Sequence, residues 1–338
     1  MSPRVLSCLF VCALLGLACN NSPPRNAGDD PPPEALLNQG ASGGSSGDSK
    51  SAEVEKAEAA IEKGDFAGAK KLASDAIAKD PKNGLAHYYL GVAEENLKQP
   101  DEAKKHYSDA LKFSPRLSGA AVNLAGLLIG DKKFDEAAAV LKSITAKVKD
   151  DPQLFQNLAV ALANLEDHAG AGEAFLSAIS LGVNDPLVRL DCAEQLLLAK
   201  KEQLAAKVLK DGMSSVPAEV QADYSLLLMK AGAFQECVTV ATKLVDAKGS
   251  SEALLLRGRC RRSAGDNDAA RADLEASIKK KDGLPEPYVY LGDVLEKLKK
   301  PADAKKAYEK AISLKAAASK DDGPKLLKFA EKRLAELK

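Results

Sequence analysis

A chain of 338 residues has room for two or three ordinary globular domains or for one extended array of repeats. Aromatic residues make up only 4%, Trp is absent and β-branched runs are missing, which argues against a large sheet and for closely packed helices rich in Ala, Leu, Glu and Lys. Lys plus Arg equals Asp plus Glu at 48 each, so no summed field draws the chain to a polyanion and nucleic acid is not an expected partner. Basic clusters such as Lys104-Lys105 and Lys279 to Lys281 are interleaved with acids and read as solvated helix faces.

The first segment, residues 1–18, carries one positive charge at Arg4, an apolar run from Val5 to Leu17 and small residues before Cys19. As a helix at ~1.5 Å per residue that run reaches about 20 Å, short of a bilayer core of roughly 30 Å, so it reads as a cleaved signal peptide. Leu15-Gly16-Leu17-Ala18-Cys19 resembles the lipobox of bacterial lipoproteins, with Leu two rather than three positions before the cysteine. The resemblance implies that Cys19 becomes the mature N-terminus and is lipidated, with more than one acyl chain for firm anchoring. Residues 19–50 follow, including Pro31-Pro32-Pro33 and Gly43-Gly44-Ser45-Ser46-Gly47. With almost nothing to bury, they read as a disordered tether.

From Ser51 onward a small residue recurs about every 34 positions, at Ala69, Ala103, Ala137, Ala171, Ala205, Cys237, Ala270 and Ala304. Twelve residues before seven of these marks stands another small residue: Gly91, Ala125, Ala159, Ala193, Ser225, Gly258 and Gly292, except that the earliest step is unmarked. Four residues after most marks comes a bulky one: Tyr107, Leu141, Phe175, Leu209, Leu274 and Tyr308. Small residues on consecutive helices let two antiparallel backbones pass closely, while Leu and Tyr fill the groove beside the crossing. Turn signals such as Lys63-Gly64-Asp65 and Ala231-Gly232-Ala233 separate the helices, and Pro81, Pro115 and Pro217 close three units.

This pattern, over residues 51–316, resembles the tetratricopeptide repeat. The resemblance implies an all-α, right-handed α-solenoid of about eight helix pairs. Residues 317–338, with Leu326, Leu327, Ala330, Leu334 and Leu337 on one side of a helix, are expected to form the C-terminal capping helix. Repeats six and seven depart from the pattern, with Arg257 where Leu is usual.

Reactive groups that converge are not evident. His87, His106 and His168 are read as lying in different repeats, His87 at a helix start and the other two exposed, with no H-E-x-x-H and no cysteine pair at metal spacing. No catalytic residue, metal or cofactor is therefore expected. Gly43 to Gly47 matches G-x-S-x-G in letters, but that motif works only at a strained strand-to-helix turn. Cys192 and Cys237 replace apolar consensus residues and read as buried small hydrophobes. A bridge from Cys237 to Cys260, between adjacent repeats, is the alternative.

In proteins of this kind the first helix of each repeat lines a concave groove. Transferring those positions gives Tyr88, Val92, Val122, Ile129, Gln156, Val160, Leu190, Glu194, Leu197, Leu226 and Met229, with Arg259, Arg262, Asp293 and Glu296 towards the C-terminus. An apolar groove suits an apolar or amphipathic segment of another envelope protein. Asn123 and Asn157 occupy equivalent positions in successive repeats, without the accompanying lysines of repeats that clamp a C-terminal carboxylate. The expectation is a non-catalytic protein-interaction scaffold held by its lipid at the bacterial cell envelope, on the periplasmic face of the outer membrane, where it assists assembly of a protein complex. An adaptor or regulator of a cell-wall enzyme and a peptide or small-molecule receptor are the alternatives.

Overall fold

A computed structural model describes residues 50–320 and 322–337. The expected signal peptide, the lipidation site Cys19 and the tether up to residue 49 lie outside the described residues. Among those described there are seventeen α-helices and no strand. No described helix is long and apolar enough to cross a membrane.

Within each of two units, helices that follow one another in sequence pack side by side. They are α1 (Ala52–Glu62), α2 (Phe66–Lys79), α3 (Gly84–Asn96), α4 (Pro100–Phe113), α5 (Ser118–Gly130), α6 (Phe134–Thr145), α7 (Pro152–Asn164) and α8 (His168–Ser180) in one compact unit that ends at Val183. The second unit, Asn184–Lys338, holds α9 (Pro186–Leu198), α10 (Glu202–Gly212), α11 (Gln221–Lys230), α12 (Phe234–Lys248), α13 (Ser251–Ser263), α14 (Asn267–Lys280), α15 (Pro285–Lys297), α16 (Pro301–Ser313) and α17 (Gly323–Glu336). The first sixteen form eight pairs, four in each unit, as an α-solenoid of repeated hairpins requires.

Local chemistry starts and stops these helices. Asp65, Asp167 and Asp266 accept a backbone N–H from Gly68, Gly170 and Ala269, capping α2, α8 and α14, and Asn83 does the same for α3. Pro100, Pro152, Pro186 and Pro301 occupy first-turn positions whose N–H would have no helical partner. Within every pair the connection passes through one residue of left-handed backbone: Gly64, Lys98, Lys132, Glu166, Lys200, Gly232, Gly265 and Lys299. Three of these are glycine, which bears that conformation without steric cost; the other five tolerate it because the same turn is required each time the chain doubles back.

All eight recurring marks, Ala69 through Ala304, are 0% exposed, so the period in the sequence is the period of the core. Gly91 shows why: a methyl group there would sit 2.7 Å from the Tyr107 ring, and one on Gly292 would sit 2.5 Å from the Tyr308 ring. Glycine on the first helix thus makes room for tyrosine on the second, and both rings are fully buried. Each ring carries a polar handle that needs a partner. The Tyr107 hydroxyl donates to Glu95 at 2.6 Å and that of Tyr308 to Glu296 at 2.7 Å.

The departures at repeats six and seven have structural causes. Arg257 lies where a leucine is usual and points at Asp273 on α14, donating Nε to Oδ2 at 2.9 Å and Nη2 to Oδ1 at 2.7 Å. Arg261 adds Nη1 to Oδ2 at 2.8 Å, so a buried carboxylate is held by two guanidinium groups. Cys237 on α12 and Cys260 on α13 form a disulfide with their Cα atoms 5.6 Å apart. The reading of Cys237 as a mere small hydrophobe is corrected accordingly: it is buried because it is small, and covalently bound because the next helix presents Cys260 opposite it. Cys192 lies outside this bridge, and burial pushes its thiol up to about 12, which leaves it an inert core residue.

The last helix closes the second unit. Ala330 is fully buried, with Leu326, Leu334 and Leu337 packed on the cluster made by α14, α15 and α16. Phe329 meets the Tyr308 ring edge-on, and Arg333 reaches Glu296, to which Tyr308 also donates. The two donors hold the Glu296 carboxyl below its usual range despite its desolvation.

Candidate functional site

In the first unit the first helices α3, α5 and α7 carry the positions expected to meet a partner. Tyr88, Val122, Gln156 and Val160 are half-buried, leaving part of each side chain at the surface. Val92 and Ile129 are 9% and 2% exposed and turn into the core instead. Tyr88 leans over Gly119, where a methyl group would come 2.8 Å from its hydroxyl, and burial beside Glu95 and Glu58 pushes that hydroxyl up to about 12. Helix α5 holds no charged residue from Ser118 to Gly130, so the middle of this face is apolar. Asn123 donates to the Tyr107 hydroxyl at 3.1 Å and Asn157 to the Val122 carbonyl at 3.3 Å. Each asparagine thus spends an N–H on its own fold.

In the second unit Glu194, Leu197, Leu226 and Met229 are half-buried, whereas Leu190 is 7% exposed and belongs to the core. The positions near the C-terminus satisfy one another. Arg262 pairs with Asp293, which also meets Lys297 at 3.4 Å; Arg259 lies 5.0 Å above the Tyr290 ring, and Glu296 is held by Arg333. Between α13, α15 and α17 this leaves a cavity of about 340 Å³ lined by Val289, Tyr290, Leu326 and Phe329 as well as by the Arg262 and Asp293 pair.

Asp191 on α9 is buried, and desolvation, with smaller contributions from Glu194 and Asp185, pushes its carboxyl up to about 8. Below about pH 4 both folded and unfolded chains keep this proton. As pH rises towards 8 only the unfolded chain ionises, so the contribution to stability falls. Asp191→Asn is therefore expected to match the parent chain near pH 4. It should exceed the parent at pH 8, by a few kcal/mol at most since one unit is about 1.4 kcal/mol. Urea unfolding of both chains at several pH values checks this; parallel curves would refute it.

The histidines are placed differently from the sequence expectation. His87 on α3 and His106 on α4 belong to one helix pair and meet with Nδ1 atoms 3.2 Å apart. His87 is buried, and His106 and His168 are half-buried rather than exposed. A signal was available: His87 lies four residues before Gly91 and His106 three after Ala103, and an antiparallel crossing at those two small residues brings both to the same end.

Helix pairs of this geometry, with their small crossing residues, define a helical-repeat protein. Tetratricopeptide repeat models match residues 54–118, 96–162, 252–280 and 285–317, so the chain carries tetratricopeptide repeats in both units. It is 27% identical over 153 residues to the type IV pilus assembly protein PilF of Pseudomonas aeruginosa, across 45% of this chain and 60% of that one. The chain thus spans less than two thirds of the length of this relative. A solved structure of Naa15/Naa10 bound to HypK-THB superposes with a TM-score of 0.52 at 16% identity, covering 84% of this chain and 51% of that one. A solved structure of Pseudomonas aeruginosa PilF gives 0.41 at 20% identity, over 72% of this chain and 96% of that one.

Proposed function

We propose that this chain is a non-catalytic protein-interaction scaffold, tethered through a lipid on Cys19 to the bacterial cell envelope, that assists assembly of a membrane or envelope protein complex. The observation that carries the reading is the uncharged face of α5 with half-buried Val122 at its centre and Val160 beside it on α7. Such a face accepts the apolar side of an extended or helical segment with little desolvation cost. The likeness to a protein named for type IV pilus assembly supports a partner of the same general kind. Two features support export: the lipobox-like Leu15 to Cys19, and a buried disulfide of a sort that persists in oxidising compartments and is rare in the cytosol. The periplasmic face of the outer membrane suits the absence of an acidic residue after Cys19, where Asn20 stands.

The cavity under α17 favours a second reading, a peptide or small-molecule receptor, which a thermal shift with a ligand library would reveal.

A photo-crosslinking residue at Val122 or Val160 tests the scaffold reading in cells. It is expected to capture a discrete envelope protein that the same group at exposed Lys105 does not. The Cys19→Ala chain should leave the membrane fraction and lose most of that adduct. Equal capture from all three sites, or a Cys19→Ala chain that stays membrane-bound, would refute the reading in its interaction and anchoring parts respectively.

A further inference from the structure

We propose that His87, His106 and Asp109 form a binding site for a divalent transition ion of the zinc type, pinning α3 to α4. One ligand atom from each of the three residues lies within 4.8 Å of the other two. His106 and Asp109 are three apart on α4 and share a face. The 3.2 Å between the two Nδ1 atoms is close to the ~3.3 Å that separates two nitrogens on one tetrahedral ion at bond lengths of about 2.0–2.1 Å.

The proton count favours an ion over a plain hydrogen bond. His87 Nε2 lies 3.1 Å from the Pro81 carbonyl, which can only accept, so the proton of the neutral ring is on Nε2 and Nδ1 carries a lone pair. His106 has one proton to place and two claimants for it. If it sits on Nδ1 and points at His87, the bare Nε2 faces Glu94 Oε2 at 3.8 Å, a buried carboxylate oxygen with no hydrogen-bond partner. If it sits on Nε2 and serves Glu94, two Nδ1 lone pairs confront each other at 3.2 Å.

A divalent ion resolves both conflicts. It takes the two Nδ1 lone pairs and an Asp109 oxygen, and leaves the His106 Nε2–H facing Glu94 Oε2, 3.8 Å away, on the side from which a carboxylate orients a metal-bound imidazole. Lys70, 3.2 Å from Glu94 Oε1, fixes that carboxylate from its other oxygen. Two imidazoles and one carboxylate suit zinc-type ions over magnesium or calcium, which prefer oxygen. His106 and Asp109 are half-buried, so water can complete the coordination from the open side.

The test is zinc titration of the full chain at pH 7.5 by calorimetry, with circular dichroism to monitor the fold. One equivalent is expected to bind, and the His106→Gln/Asp109→Asn double variant, its helical signal intact, should bind roughly 30-fold or more weakly. X-ray absorption at the zinc edge of the loaded parent chain should show two imidazole nitrogens, a readout that needs no variant to fold. Undiminished affinity in the double variant, a spectrum dominated by sulfur, or no uptake by the parent chain would each overturn the proposal.

Discussion

Asp273→Ala is expected to lower the stability of the second unit by about 3–5 kcal/mol, the cost of breaking a buried ion pair from one side. The carboxylate is 4% exposed and holds Arg257 in a two-pronged contact with Arg261 alongside, so its removal leaves two guanidinium groups without their acceptor at a helix interface. The effect belongs to the broken pair and not to the site itself. Replacing both Arg257 and Asp273 by apolar residues is therefore expected to recover part of the loss, because well-packed hydrophobic side chains often equal or exceed a buried ion pair, while Arg261, 23% exposed, can turn to water. Urea unfolding of the single and double variants, read as a double-mutant cycle, measures the coupling. A loss under about 1 kcal/mol in Asp273→Ala, typical of exposed pairs, would show that the pair is open to water in solution.

Opening the Cys237–Cys260 bridge should cost about 3 kcal/mol. The two residues are 23 apart in sequence, and closing a loop of that size removes roughly that much chain entropy from the unfolded state. Reduction, or paired replacement by alanine, is expected to lower the urea midpoint of the second unit while leaving its helical signal at zero urea unchanged. Alanine suits the Cys237 position because it is the residue at the equivalent mark in the other seven repeats. Thiol titration after denaturation supplies an independent measure: of Cys192, Cys237 and Cys260, only Cys192 should react before reductant is added, and all three afterwards. Three reactive thiols without reductant would refute the bridge.

The two contacts also explain why the repeat signal weakens where it does. Arg257 in a leucine position and cysteine in an alanine position read as decay of the pattern, yet each is matched by a residue on the neighbouring helix: Asp273 for Arg257, Cys260 for Cys237. Loss of consensus here is an exchange of one stabilising device for another. Sequence spacing along one helix cannot show that exchange, because the compensating residue lies 16 positions away from Arg257 and 23 from Cys237.

Of the positions proposed for the interaction face, the structure fixes the exposure. Positions transferred from the repeat put Tyr88, Val122, Gln156 and Val160 at the surface of α3, α5 and α7, but Val92, Ile129 and Leu190 point inward. Adjacent positions on a helix differ by about 100° in direction, so a modest rotation of one helix in its pair carries a side chain from surface to core. The polar residues that the sequence placed near the C-terminus as open lining are engaged with one another, Arg262 with Asp293 and Glu296 with Arg333.

By itself the sequence determined the helix pairs, their number and the points where they cross, since a small residue every 34 or so positions is a local demand of backbone packing that each unit repeats. Only the tertiary structure decided which side chains meet across those crossings. The His87 and His106 contact, the two arginines on Asp273 and the disulfide depend on how far each helix is turned about its own axis, which the period leaves free and the packing of neighbours sets.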